Sequence, residues 1–172
     1  SALPKRLTTG QKRDFSPRWS PDGTRLAFLS TREERAQLFL IDPTGGEAER
    51  ITEWKTGLTT ITWAPQGDRI AFLAPRVPTP AEERRQKDRD DAVVTDSGFV
   101  LPRLHLVTLA TRAVREVRVG DVALSDPQWA PDGRRLAITA TPTTKADDGA
   151  ESDIWIVSAD SAGTVPRRLT TN

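Results

Sequence analysis

The chain has 172 residues, 36% of them hydrophobic and 28% charged, and its formal net charge is +1. This composition is typical of a globular protein, and the interleaved charges provide no electrostatic basis for binding nucleic acid or an anionic membrane. No apolar run approaches the roughly 18 residues needed to span a bilayer. The absence of cysteine excludes disulfides, thiolate chemistry and cysteine-based zinc sites.

The two ends of the chain resemble each other. Residues 4–10 read PKRLTTG and residues 166–172 read PRRLTTN. We interpret residues 1–10 as the outer strand of a preceding sheet and residues 166–172 as the equivalent strand of the last sheet. Because the chain begins at Ser1 and contains no methionine, we expect it to be a piece of a longer protein.

A strand–turn–strand motif begins at Trp19 (WSPDGTRLAFLS) and recurs at Trp63 (WAPQGDRIAFLA) and Trp129 (WAPDGRRLAITA). Proline, aspartate and glycine in this order favour a tight turn, in which the glycine takes the positive φ. The strand after each turn is apolar on both faces, which predicts that it is covered on both sides. Because the tryptophans recur with the motif, we predict that all three are core residues on equivalent inner strands.

The first two motifs are about 44 residues apart, and each unit contains four strand-like runs, a pattern typical of propeller blades. We therefore predict an all-β chain, a β-propeller fragment of three four-stranded antiparallel blades plus one extra outer strand. Residues 1–172 would form a partial propeller, with the first blade at 15–52, the second at 59–119 and the third at 122–172.

The second blade contains an insertion at residues 75–102, and a polar loop at 141–152 interrupts the third blade. Thr79 as N-cap and Pro80 at the first helical position predict the start of a short helix in the insertion, and residues 91–101 are typical of a small hairpin. In antiparallel blades both interruptions lie on the same face, which we predict to be the face that meets a partner.

No part of the sequence carries a recognisable catalytic constellation, so we predict no catalytic residue, metal or cofactor in this chain. Its one histidine, His105, lies within an apolar strand and is interpreted as a packed side chain, and no Gly-x-Ser-x-Gly motif occurs. The acidic cluster at Asp88, Asp90 and Asp91 lacks the spacing of an EF-hand loop. The candidates for a substrate-gating role lie in or next to the insertion: Arg84, Arg85, Arg89, Asp90, Phe99 and Arg103.

The motif Trp-Ser/Ala-Pro-Asp-Gly, followed by Leu-Ala-Phe, resembles the TolB-like propeller repeat. The insertion, with residues 90–95, Gly98-Phe99 and residues 102–107, is similar to the blade insertion of acylaminoacyl peptidases of the prolyl oligopeptidase family. The sequence departs from this pattern at Gln66, which replaces the usual aspartate, and at residues 95–98, where a Tyr-Arg-x-Asp-Gly element is reduced.

In such enzymes a seven-bladed propeller caps an α/β-hydrolase domain and restricts access to its Ser-Asp-His triad. The resemblance implies a non-catalytic, substrate-gating part of a cytoplasmic serine peptidase that acts on short or N-acylated peptides. Its partners would be the α/β-hydrolase domain of the parent chain and short peptides. A TolB-type interaction scaffold without an enzyme is the alternative, and a carbohydrate-binding propeller, with Trp54 and Phe99 as rim aromatics, is a third interpretation.

Closed propellers have roughly 4–8 blades, so three blades alone cannot close a disc. We expect blade faces like those of Leu26/Phe28 and Leu136/Ile138 to be left uncovered. An uncovered apolar face predicts self-association of the chain through its terminal blades.

Overall fold

The computed structural model describes residues 6–8, 12–81, 84, 101–142, 152–160 and 165–170. These residues form three four-stranded antiparallel sheets, which confirms the predicted all-β architecture of propeller blades. Helical conformation in this part of the chain is confined to Pro80, Ala81 and Arg84, around the predicted helix start. A helix long and apolar enough to cross a membrane is absent from the same ranges.

Within each sheet the strands lie side by side in sequence order. The first sheet contains β1 (Asp14–Trp19), β2 (Leu26–Ser30), β3 (Gln37–Ile41) and β4 (Glu49–Arg50). The second contains β5 (Thr60–Trp63), β6 (Arg69–Pro75), β7 (Pro102–Thr108) and β8 (Val114–Val117). The third contains β9 (Ala123–Trp129), β10 (Arg135–Thr141), β11 (Asp153–Ser158) and β12 (Arg167–Arg168).

Two elements predicted from the sequence fall largely outside the described ranges. Of the outer strand predicted at residues 1–10, the structure describes only residues 6–8, and these do not form a strand. Of the hairpin predicted at residues 91–101, only Leu101 is described.

The repeated turns form as their residues predict. Gly23 has φ +70°, and the Asp22 carboxylate accepts hydrogen bonds from the Ser20 hydroxyl at 2.5 Å and the Thr24 backbone N–H at 3.0 Å. The bond from Ser20, followed by those from Thr24, lowers the pKa of Asp22 to about 2. In the second turn Gln66 replaces the aspartate, and its Nε2 donates to the Asp132 carbonyl of the third turn at 3.2 Å.

The core lies between the sheets. Alternate side chains of the middle strands point in opposite directions, so the second sheet is buried on both faces, as the two-sided apolar strands predict. One interface packs Ala27, Leu29, Leu38 and Leu40 of the first sheet against Ile70, Phe72 and Val107 of the second. The other packs Ala71, Leu73, Leu104 and Leu106 of the second sheet against Leu136, Ile138 and Val157 of the third.

The motif tryptophans join each sheet to the one before it. The indole N–H of Trp63 donates to the Arg18 carbonyl at 3.0 Å, and that of Trp129 donates to the Thr62 carbonyl at 3.2 Å. Trp19, in contrast, is 56% exposed, so the prediction that it is a core residue is wrong. Its indole has no equivalent acceptor because no sheet precedes β1 in the described part of the chain.

The expectation that the Leu26/Phe28 and Leu136/Ile138 faces are uncovered is also wrong. Phe28 is buried because Leu7 packs beside it and the Arg32 guanidinium lies 5.5 Å from its ring centroid. Leu136 and Ile138 face the second sheet. The open face of the third sheet is the opposite one, where Ile154, paired with Thr139, is exposed.

Candidate functional site

The two long connections attach to the same face of the blades. Residues 76–101 join β6 to β7, residues 142–152 join β10 to β11, and the β8–β9 connection lies on this side because the strands are antiparallel. We call it the insertion face. The Pro-Asp-Gly turns lie on the opposite face, so the two long connections are separated from the repeated turns.

The structure describes two of the residues predicted to gate substrate. Arg84 is exposed and has helical conformation. Arg103, on β7, donates from its guanidinium to the Gly120 carbonyl and forms an ion pair with Asp121 at 2.8 Å. It therefore holds the β8–β9 connection in place. The other four predicted residues lie outside the described ranges: Arg85, Arg89, Asp90 and Phe99.

His105 is packed in the core, as its position in an apolar strand predicts. Its side chain forms a three-ring cluster with Trp54 and Phe72, at centroid distances of 4.5 Å and 5.1 Å. Burial lowers its pKa, although the Glu116 carboxylate opposes this effect. Trp54, which the carbohydrate-binding interpretation treats as a rim aromatic, is instead half-buried in this cluster of rings.

An open cavity of about 650 Å³ lies on the insertion face, between the connection from the second to the third blade and the strands of the third blade. We call it the inter-blade cavity. Volumes of this order are typical of ligand sites. The described residues that line it are Asp121, Val122, Ala140, Thr141, Pro142, Asp153, Trp155 and Arg168.

The charged groups of the inter-blade cavity are paired with one another. Asp153 is buried, forms an ion pair with Arg168 at 2.6 Å and accepts a hydrogen bond from the Thr170 hydroxyl at 3.1 Å. Asp121 is held by Arg103 at the mouth. Trp155 supplies the aromatic wall and packs against the core between the blades. In the described part of the chain, no group of three or more His, Cys, Asp or Glu side chains could hold a metal ion.

Sequence reasoning did not find this cavity, although the sequence contains a signal for it. Trp54 and Gly120 precede the motif residues Trp63 and Trp129 by the same number of positions. The bulky side chain between the first two blades is therefore replaced by no side chain between the next two. Comparing the second and third units position by position would have indicated that the loop next to the cavity lacks a bulky side chain at Gly120.

Comparison with known proteins supports a peptidase relationship. No protein-family model matches the chain. Over 165 residues it is 31% identical to the uncharacterized peptidase YuxL of Bacillus subtilis, a match that covers 87% of this chain and 25% of the peptidase. The chain therefore spans about a quarter of this relative.

Solved structures show the same fold. TolB from Acinetobacter baumannii superposes with a TM-score of 0.66 at 24% identity, over 98% of this chain and 35% of TolB. Acylaminoacyl peptidase from Pyrococcus horikoshii superposes with a TM-score of 0.60 at 18% identity, over 92% of this chain and 25% of the peptidase. The resemblance seen in the repeat and the insertion is thus confirmed: the chain is homologous to a peptidase and has the propeller fold found in TolB and in acylaminoacyl peptidase.

Proposed function

We propose that this chain is a non-catalytic, substrate-gating part of the propeller of a serine peptidase that acts on short or N-acylated peptides. The observation that carries the proposal is the homology to a peptidase along 87% of the chain. The sequence itself contains no Gly-x-Ser-x-Gly motif, so the nucleophile would reside on an α/β-hydrolase domain elsewhere in the parent protein.

The arrangement of the blades supports a gating role. Blade contacts are apolar and are reinforced by the indole bonds of Trp63 and Trp129, which makes the blades a firm wall. The long connections and the inter-blade cavity lie together on one face of that wall. A propeller that presented this face to an active site would admit short, flexible peptides and exclude folded proteins.

A TolB-type interaction scaffold is the second candidate. It is favoured by the superposition on TolB, which extends over 98% of the chain. The length of the connection between β6 and β7 favours the peptidase instead, because a scaffold repeat would keep a period of about 44 residues.

The two candidates differ in the behaviour of the parent protein. A gated peptidase is labelled by a serine-directed phosphonate, hydrolyses acyl-amino-acid nitroanilides and short peptides, and leaves a folded protein intact. Trp63→Ala, which weakens the wall, should raise the cleavage of long unstructured polypeptides relative to short peptides, and Trp19→Ala is the matched control. The 172-residue chain alone should show no turnover. A parent protein that is neither labelled nor active would exclude the peptidase and favour the scaffold.

A further inference from the structure

In each blade, one pair of side chains on the two middle strands faces the part of the chain that precedes the sheet. The register of the middle strands defines the pairs as Phe28/Phe39, Phe72/His105 and Ile138/Trp155. A planar group lies over each of the first two pairs. The Arg32 guanidinium is 5.5 Å and 5.3 Å from the two ring centroids of the first pair.

Trp54 covers the second pair, with centroid distances of 5.6 Å to Phe72 and 4.5 Å to His105. In the third blade the equivalent pair includes Trp155, and Trp155 lines the inter-blade cavity. Two equivalent positions are therefore filled by a planar group of the chain itself, and within the described ranges no such group fills the third.

The sequence explains why the third position is open. Gly120 stands where Trp54 stands in the preceding unit, and Pro142 stands where Arg32 stands in the first. Each loop is anchored at the equivalent carbonyl, because the Gln37 amide donates to the Trp54 carbonyl at 2.8 Å and Arg103 donates to the Gly120 carbonyl. The anchor is thus kept while the side chain is missing. Gly120 has φ +121°, and a Cβ added there would meet nothing within 4 Å.

We propose that the inter-blade cavity binds an aromatic side chain of a peptide, packed against Trp155 as Trp54 packs against His105. The charges of the cavity favour an aromatic ring over a guanidinium. Asp153 is already paired with Arg168, and Asp121 is paired with Arg103 and 95% exposed. A bound guanidinium would therefore meet one carboxylate that is already neutralised and one whose attraction is screened by solvent. The cavity proposal rests on the proposed function in one respect, namely that the aromatic ring comes from a peptide.

The test uses the 172-residue chain and N-acetyl-5-fluorotryptophan amide, whose neutral backbone leaves the ring as the main contact. We expect saturable changes in the ¹⁹F spectrum at millimolar probe, accompanied by shifts of the Gly120 amide and the Trp155 indole N–H. N-acetylarginine amide should bind at least tenfold more weakly.

Two variants locate the site. Pro142→Arg restores the residue found at Arg32 and should reduce affinity for the probe at least tenfold. Val165→Arg places the same side chain on the opposite face of the same blade, where residue 165 is exposed, and should leave binding unchanged.

The proposal is overturned by the absence of saturable binding, by equal affinity in Pro142→Arg and Val165→Arg, or by tighter binding of the arginine amide. Because binding is measured without turnover, its failure is distinguishable from failure of the proposed function. A parent protein that hydrolyses peptides while the probe does not bind would refute the cavity proposal alone. Probe binding to the chain of an inactive parent would refute the peptidase alone.

Discussion

Replacing Trp63 by alanine tests whether the motif tryptophans hold the blades together. Trp63 is 8% exposed and bonds to the Arg18 carbonyl of the neighbouring blade. Truncation of a buried tryptophan costs about 3–5 kcal/mol, and loss of the indole N–H alone costs about 1 kcal/mol. Trp63→Phe should therefore lose only a fraction of the stability that Trp63→Ala loses. Trp19→Ala, at the same motif position but 56% exposed, should change stability by less than about 0.5 kcal/mol.

Urea unfolding of the 172-residue chain, followed by far-ultraviolet circular dichroism, measures these differences. With a dependence of about 2 kcal/mol per molar urea, Trp63→Ala should lower the midpoint by about 2 M. Trp19→Ala should leave the midpoint within experimental error. Equal midpoints for Trp63→Ala and Trp19→Ala would refute the assignment of Trp63 as a link between blades.

Three further predictions follow from individual side chains. Burial lowers the pKa of His105 below its ordinary 6.5, so the unfolded chain takes up a proton that the folded chain does not, and stability should fall as pH decreases below about 6.5. In His105→Phe, which copies Phe39, this part of the pH dependence of the urea midpoint should disappear. Asp22 should titrate by NMR with a pKa of about 2, and Ser20→Ala, which removes the leading hydrogen bond, should raise that pKa. Self-association through the third blade should appear as a concentration-dependent mass in light scattering, and Leu169→Asp, at a side chain that is 47% exposed, should reduce it.

The turns and the blade architecture could be predicted because their causes are local. A Pro-Asp-Gly sequence forms its turn from its own backbone preferences and from the Asp22 side chain. A strand that is apolar on both faces needs cover on both sides wherever it lies in the chain, and the sheets at the centre of the structure provide that cover. His105 followed from the same logic, because an apolar strand places its side chain in an interface.

The exposure of Trp19 and the inter-blade cavity could not be predicted in this way, because both depend on which residues of other blades and loops lie against them. Trp19 and Trp63 occupy the same position of the motif. Trp63 is a core residue because the first sheet packs against it and the Arg18 carbonyl accepts its indole N–H. The cavity is lined by residues of the β8–β9 connection and of the third blade, such as Asp121 and Pro142, which come together only in the folded chain. The repeat motif predicts the fold of each blade, whereas the proposed ligand site follows from residues that differ between the blades.

The hydrogen bonds at the end of each blade explain how the connecting loops can differ without loss of the fold. At the end of the first blade the Thr52 hydroxyl accepts from the Leu38 backbone N–H at 3.0 Å and donates to Gln37 at 2.9 Å. At the end of the third, Thr170 makes the same two bonds, accepting from Ile154 at 2.9 Å and donating to Asp153 at 3.1 Å.

The second blade has Arg118 at this position, and Arg103 secures its outgoing loop through the Gly120 carbonyl instead. Each loop is therefore fixed by bonds to its backbone or to the strand before it, independently of the side chain that projects between the blades. The side chain at this position therefore differs between the loops, from an indole at Trp54 to none at Gly120, while the apolar packing between the blades is kept.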